Sequence, residues 1–265
     1  MRPESERPEP GFPKPRRSRD SARRIRDLIR AEMHRGAYAD GMLPSEELLM
    51  RQMHASRSAI RGAFALLREE GLIDRIQGIG TVVVAELKMM TLEESQGVAP
   101  FEPSNPLAVS RPRILAHDEI ELPPPISRHL GVAARSPGIR IEYLPMFNSV
   151  PLGIVTNYLR MPEAASLAKA RFTTDYYRYL ADAGLDTTET SYLMEAAVAD
   201  DTDAALLGLQ SGDALMVAEQ TLLNEKGEAF NYAFVRARGD MSALLSRAGR
   251  ASTHAPNGEP PADRS

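Results

Sequence analysis

Leu43-Pro44-Ser45-Glu46-Glu47, Ser56-Arg57-Ser58-Ala59-Ile60-Arg61, Glu69-Glu70-Gly71-Leu72-Ile73 and Gly78-Ile79-Gly80-Thr81 follow one another in a single stretch. Ser45, after a proline, starts a short helix with Glu46 and Glu47 in its first turn, where carboxylates complement the helix dipole. Ser56 starts the next helix, which runs to Gly71 with an apolar face of Ile60, Ala63, Phe64 and Leu67. Arg57 and Arg61 stand one turn apart on another face, with Ser58 nearby. Leu72–Ile76, a tight turn over Gln77–Gly80 and Thr81–Val84 read as a β-hairpin. Upstream, Ile25, Leu28, Ile29 and Met33 recur at helical spacing, with Asp20 or Ser21 as cap candidates and an end near Gly36. Three helices and a hairpin predict a winged helix-turn-helix over residues 18–84.

Charge distribution points the same way. The 265 residues carry a formal charge of −4, which taken whole argues against a polyanionic partner. Residues 14–84, however, hold 14 Lys and Arg against 9 Asp and Glu, whereas residues 85–265 hold 16 against 24. A basic module joined to an acidic one fits a nucleic-acid reader fused to a domain that must stay off the phosphate backbone. The chain has no Cys, which excludes disulfides, thiolate metal sites and a cysteine nucleophile. Neither an apolar run of membrane-spanning length nor a signal-peptide core is present, so a cytoplasmic protein with no membrane partner is expected.

The remainder divides by composition. Residues 1–17, rich in Pro and charge, and residues 247–265 read as tails. Residues 85–112, with Gly97, Pro100, Pro103, Pro106 and Pro112, read as a linker. Residues 113–246 contain a weak internal repeat: Leu130-Gly131-Val132 and Leu207-Gly208-Leu209 each close a helical stretch. Alternating strands follow at Ile139–Phe147 and Ala214–Leu223, with return strands Leu152–Leu159 and Ala229–Ala237. Two such halves joined by a helix over Phe172–Ala183 predict an antiparallel sheet with helices on one side and a small-ligand cleft between the halves. The fold class is therefore α+β.

The motifs at residues 43–83 resemble the DNA-binding domain of the GntR family of bacterial transcription regulators. Residues 115–245, through Pro137-Gly138-Ile139-Arg140, Asn157-Tyr158-Leu159 and Arg238-Gly239-Asp240, are similar to the UTRA effector-binding domain of its HutC-type branch, which has a chorismate-lyase-like fold. The resemblance implies a homodimer on a palindromic double-stranded operator, most simply a repressor released by a small molecule. It places Ser56, Arg57, Ser58 and Arg61 of the recognition helix on DNA, with the wing tip at Gln77 and Gly78 in the minor groove. Serine hydroxyls such as that of Ser45 at a helix start suit phosphates, and the arginine fork suits guanine O6 and N7. One departure stands out: the family usually has Arg where this chain has Glu47, which leaves the operator sequence open.

A second departure concerns the ligand. Relatives that bind sugar phosphates or carboxylates often carry paired arginines at positions aligned with Tyr143 and Pro145. Without that anion clamp the expected effector is neutral or partly apolar, not a sugar phosphate, and is held by some of Tyr143, Thr156, Asn157, Asn231, Tyr232 and Arg236. No catalytic constellation, cofactor fingerprint or metal-ligand spacing is read. The five histidines are scattered, Asp200, Asp201 and Asp203 are read as helix-capping residues, and Tyr176, Tyr177 and Tyr179 as core. A chorismate-lyase-like enzyme and an architectural DNA-binding protein with an inert dimerisation domain are the competing classes.

Overall fold

The computed structural model describes residues 17–38, 40–84, 88–97, 109–173 and 175–246. The expected tails, up to residue 16 and from residue 247, lie outside the described residues, as do residues 85–87 and 98–108 of the expected linker.

Helix α1 (Arg17–His34), α2 (Glu46–Gln52) and α3 (Arg57–Glu69) precede a hairpin of β1 (Ile73–Ile76) and β2 (Gly80–Val83). Ile25, Ile29, Leu49, Ile60, Phe64 and Leu67 form the core between them. Leu28, expected inside, is 52% exposed, because the buried stripe of α1 runs through Ile25 and Ile29 and leaves Leu28 at its margin. Helix α1 also begins before Asp20 and Ser21, so neither caps it. Gly62 permits the close approach of α1 and α3: a Cβ there would sit 2.9 Å from that of Ala22. The Arg26 guanidinium reaches the Glu70 carboxylate at 2.7 Å and ties α1 to the end of α3. The hairpin is in register from Ile73 opposite Val83 to Ile76 opposite Gly80. Gly78 at its tip has φ +80°, a conformation other residues adopt only under strain.

Residues 88–95, expected to be linker, instead form β3 (Lys88–Thr91) and the single turn α4 (Leu92–Ser95). Strand β3 runs parallel to the last strand, β11 (Ser242–Leu245), so its backbone finds partners far away in sequence. Thr91 and Glu94 form a capping box that starts α4. The Gly and Pro residues farther along the segment conceal this short element from periodicity.

Among the described residues the main sheet has seven strands. They are β4 (Val109–Glu121), β5 (Pro137–Phe147), β6 (Val150–Pro151), β7 (Gly153–Arg160), β8 (Glu189–Val198), β9 (Ala214–Leu223) and β10 (Ala229–Arg238), in the order β4-β5-β7-β10-β9-β8 with β6 beside β5. The two hairpins read from sequence, β5–β7 and β9–β10, meet along β7 and β10 in antiparallel register, Tyr232 opposite Tyr158. Sequence reading did not identify the outer strands β4 and β8. Gly131 and Gly208, with φ of 66° and 67°, stop α5 (Pro124–His129) and α7 (Asp201–Leu207) at equivalent points of the repeat. Asp200 caps α7 by accepting from the Thr202 and Asp203 backbone N–H groups.

Helices cover both faces of the sheet, not one. Ile139, Ile141, Tyr143, Val155 and Leu159 pack against α6 (Tyr176–Asp182) and the preceding 3-10 helix, Glu163–Lys169. The alternate residues Leu144 and Ile154 pack with Leu207 of α7, and Tyr232 with Ile126 of α5. Period two separates the two sets: Ile139, Ile141, Tyr143, Val155 and Leu159 at odd positions of β5 and β7 face α6, and Leu144, Ile154 and Tyr158 at even positions face α5 and α7, while Met146 at the end of β5 also reaches the α6 side.

Candidate functional site

The recognition helix α3 is positioned by its own cap. Ser56 Oγ accepts the Ala59 N–H at 3.2 Å and lies 3.0 Å from Ser58 Oγ, which fixes the first turn. Arg57, Ser58 and Arg61 are exposed on the side away from Ala59, Ile60, Ala63 and Phe64. Ser45 caps α2 in the same manner, accepting the Leu48 N–H at 3.3 Å. Gln77 and Gly78 are exposed at the wing tip. The DNA-facing candidates therefore lie on one α2-α3-wing scaffold. Glu47 is exposed and its carboxylate meets Arg51 one turn later at 2.9 Å, so an acid and a base share that helix surface.

The second candidate site is a cavity of about 200 Å³ on the α6 face of the sheet. Its floor is formed by sheet residues that include Tyr143, Val155, Asn157, Met216, Gln220 and Val235. The start of α6 supplies Asp175, Tyr176 and Tyr177, and the roof is made by Met90, Glu94, Ser95 and the β11 residues Ser242–Leu244. Thus the segment between the two motif-bearing regions closes the cavity. Tyr177 Oη donates to the Ser95 carbonyl at 2.8 Å, while Gln220 Nε2 donates to Tyr177 Oη at 2.7 Å. Thr190 Oγ1 donates to the Gln96 carbonyl at 2.9 Å.

Of the six residues expected at the ligand, the structure brings Tyr143 and Asn157 to the cavity wall. Asn157 is 1% exposed and its Nδ2 makes no hydrogen bond of normal geometry, although it lies near enough to the Tyr143 phenol to oppose the upward push of burial there. Asn231 shares this face one layer away, where its Oδ1 accepts from Tyr176 Oη at 2.9 Å. Thr156, Tyr232 and Arg236 are on the opposite face, because each is an even-numbered neighbour of a cavity-facing position. Arg236 Nε donates to Asp203 Oδ1 of α7 at 2.8 Å. Tyr232 stacks on His129 with centroids 4.3 Å apart and donates to the Glu219 carboxylate. Burial and that carboxylate push the Tyr232 phenol up to about 12. Arg236 thus holds α7, and Tyr232 holds α5, to the sheet.

Sequence reading missed Tyr177, Tyr192, Gln220, Glu94 and Ser95. Tyr176 and Tyr177 were visible as a cluster, but their assignment to the core is only half the result, since both also line the cavity. Burial holds the phenols of Tyr143, Tyr176 and Tyr177 well above the ordinary tyrosine range, so all three are neutral donors near pH 7. Among the described residues lining the cavity there is no Lys, Arg or His. The described residues also contain no cluster of His, Asp and Glu suited to a metal ion, and no helix long and apolar enough to cross a membrane.

A winged helix that offers an open arginine-bearing helix, in one chain with a ligand-sized cavity closed by the intervening segment, defines a DNA-binding transcription regulator with a sensor domain. Residues 21–83 match "Bacterial regulatory proteins, gntR family", and residues 109–242 match the UTRA domain. The chain belongs to the gntR family of bacterial regulatory proteins and carries a C-terminal UTRA domain. It is 24% identical over 220 residues to the HTH-type transcriptional repressor NagR of Bacillus subtilis (strain 168), covering 82% of this chain and 89% of that one. It is 26% identical over 204 residues to the histidine utilization repressor of Pseudomonas aeruginosa, covering 75% and 80%. Among solved structures, PhnF from Mycobacterium smegmatis shares the fold, with a TM-score of 0.59, 20% identity, and coverage of 84% of this chain and all of that one. The relatives are transcriptional regulators, not enzymes.

Proposed function

We propose that the protein is a cytoplasmic, homodimeric repressor that leaves a palindromic operator when a small molecule fills the cavity on the α6 face. Ser56, Arg57, Ser58 and Arg61 read and grip the major groove, Ser45 holds a phosphate, and the wing tip at Gln77 and Gly78 enters the minor groove. Tyr143 and Asn157 contact the effector, and Asn231 acts from behind by fixing Tyr176. Thr156, Tyr232 and Arg236 are structural. Residues 18–84 form the reader and residues 109–246 the sensor, with residues 88–97 as the coupling element between them.

One observation carries this reading: Met90, Glu94 and Ser95, between the two family-matched regions, line the cavity themselves. A ligand that touches them has a direct means of binding two arrangements of the connection with different affinity, which linkage requires of an effector. The absence of a cation among the described lining residues also argues against a sugar phosphate, whose recognition favours guanidinium or ammonium donors. The test is to select bound fragments from the host genome, then screen metabolites of the adjoining genes for loss of operator binding. A palindromic site released by one of them is expected. An operator affinity indifferent to every ligand that binds the protein would overturn the reading in favour of an architectural role.

A further inference from the structure

A groove at the edge of the sheet, sharing no lining residue with the effector cavity, has the opposite chemistry. We propose that it is a second ligand site of the sensor domain, for a small organic carboxylate with a flat apolar body. The inference stands whatever molecule fills the cavity, and whether or not that molecule releases DNA.

Three observations converge. The groove measures about 380 Å³ and lies between β4 and the segment that leads into α6, within the roughly 300–1,000 Å³ of most ligand pockets. Its described lining holds Arg111, His117 and Arg171 and no Asp or Glu, although residues 85–265 as a whole are acidic. All three are exposed, and among the described residues none of them makes a hydrogen bond or an ion pair. Two guanidinium groups with every N–H still available, beside an imidazole, suit a carboxylate, whose two oxygens match the arginine fork.

The second observation is how the backbone assembles the groove. In an unbroken strand Arg111 and His117 would share one face of β4 and Ile114 would take the other. The pairing of β4 with β5 slips by one residue between Ser110 and Arg113, and again between Ile114 and Ala116. These two bulges bring Arg111, Ile114 and His117 to the same groove, which is how bulges re-aim side chains beside a site. Bulges and charges also guard an edge strand against pairing, but that duty requires neither a cavity nor the cation Arg171 from a different segment.

The third is the floor. Ile141 and Tyr179 are buried, Ile114 is 44% exposed, and Phe172 completes the apolar surface. Phe172 lies parallel to Tyr179 with ring centroids 5.1 Å apart, and edge-on to Tyr143 at 4.6 Å. Exposed apolar surface between cations gains from a hydrophobic body on the ligand, whereas a bare anion there gains only attraction screened by salt. Tyr143 lines the effector cavity, so a ligand held against Phe172 is one ring away from the effector.

The test titrates the full chain with benzoate, its neutral and cationic counterparts benzamide and benzylamine, and acetate, which has the head without the body, followed by calorimetry. Benzoate is expected to bind at least about tenfold more tightly than each of the other three. Arg111→Gln and Arg171→Gln should each weaken benzoate severalfold, and together remove its advantage over benzamide. The unfolding temperature should not change, because neither guanidinium has a partner among the described residues to lose. Benzamide or acetate binding as tightly as benzoate, benzoate binding that survives the double variant, or no benzoate binding at millimolar concentrations overturns the proposal. Loss of benzoate binding in Asn157→Leu, with both arginine variants binding normally, overturns it as well, because the carboxylate would then occupy the effector cavity.

Discussion

Tyr177 Oη donates to the Ser95 carbonyl across 82 positions of sequence, joining the start of α6 to the segment that follows the DNA-binding region. The same oxygen accepts from Gln220 Nε2, so floor, wall and roof of the cavity meet at one hydroxyl. Tyr177→Phe removes that junction and leaves two partners without it, a loss of about 1–3 kcal/mol. Thermal unfolding should register the loss. Operator affinity without ligand should stay within about twofold, while the ligand-induced change in affinity contracts, because the roof is no longer held to the ligand-binding wall.

Gly97 tests the same connection sterically. It has φ +73°, and a Cβ there would approach the Tyr177 ring to 2.2 Å. Gly97→Ala therefore combines backbone strain with a displaced Tyr177 ring and should cost about 1–3 kcal/mol. Ligand affinity is expected to fall more than operator affinity, as measured by titrating both on the same preparation.

Arg57→Ala should weaken specific operator binding by roughly 1–3 kcal/mol if its fork reads a base, with little change on random DNA. Equal weakening on both sequences, together with a shallower salt dependence, would assign Arg57 to a phosphate.

Arg236 separates the two faces of the sheet. Its guanidinium pairs with Asp203, which is nearly buried, while Arg236 itself is partly exposed to solvent. Arg236→Ala should destabilise the sensor by about 1–2 kcal/mol after allowance for screening. Ligand affinity should be unchanged, since the side chain is across the sheet from the cavity. Loss of ligand binding at full stability would place Arg236 in the effector site after all.

The sequence was most informative where local chemistry sets geometry. Ser45, Ser56 and Asp200 announce helix starts, Gly131 and Gly208 announce helix ends, and Gly78 marks a turn, so the reader and the two repeated hairpins were legible. Alternation correctly located β5, β7, β9 and β10 but cannot say which parity faces which layer. That is why Tyr143 and Asn157 fall in the cavity while Thr156, Tyr232 and Arg236 do not. The roof was illegible for another reason: β3 is paired with β11, some 150 residues away in sequence, and no local pattern reports a partner at that distance. Glu94 and Ser95 were therefore hidden in what reads as linker.

Asn157 bears most directly on the central claim that the cavity on the α6 face is the switch. Leu has a similar volume and carries no donor, so Asn157→Leu removes a buried N–H that makes no hydrogen bond of normal geometry and should change stability by less than about 1 kcal/mol. The decisive measurement is operator affinity of the native protein and of Asn157→Leu as the releasing metabolite is titrated. The native protein should lose operator affinity by at least about tenfold, while Asn157→Leu binds the operator normally and stays bound throughout. Equal release of both proteins would contradict the account, because it would place the effector somewhere other than this cavity.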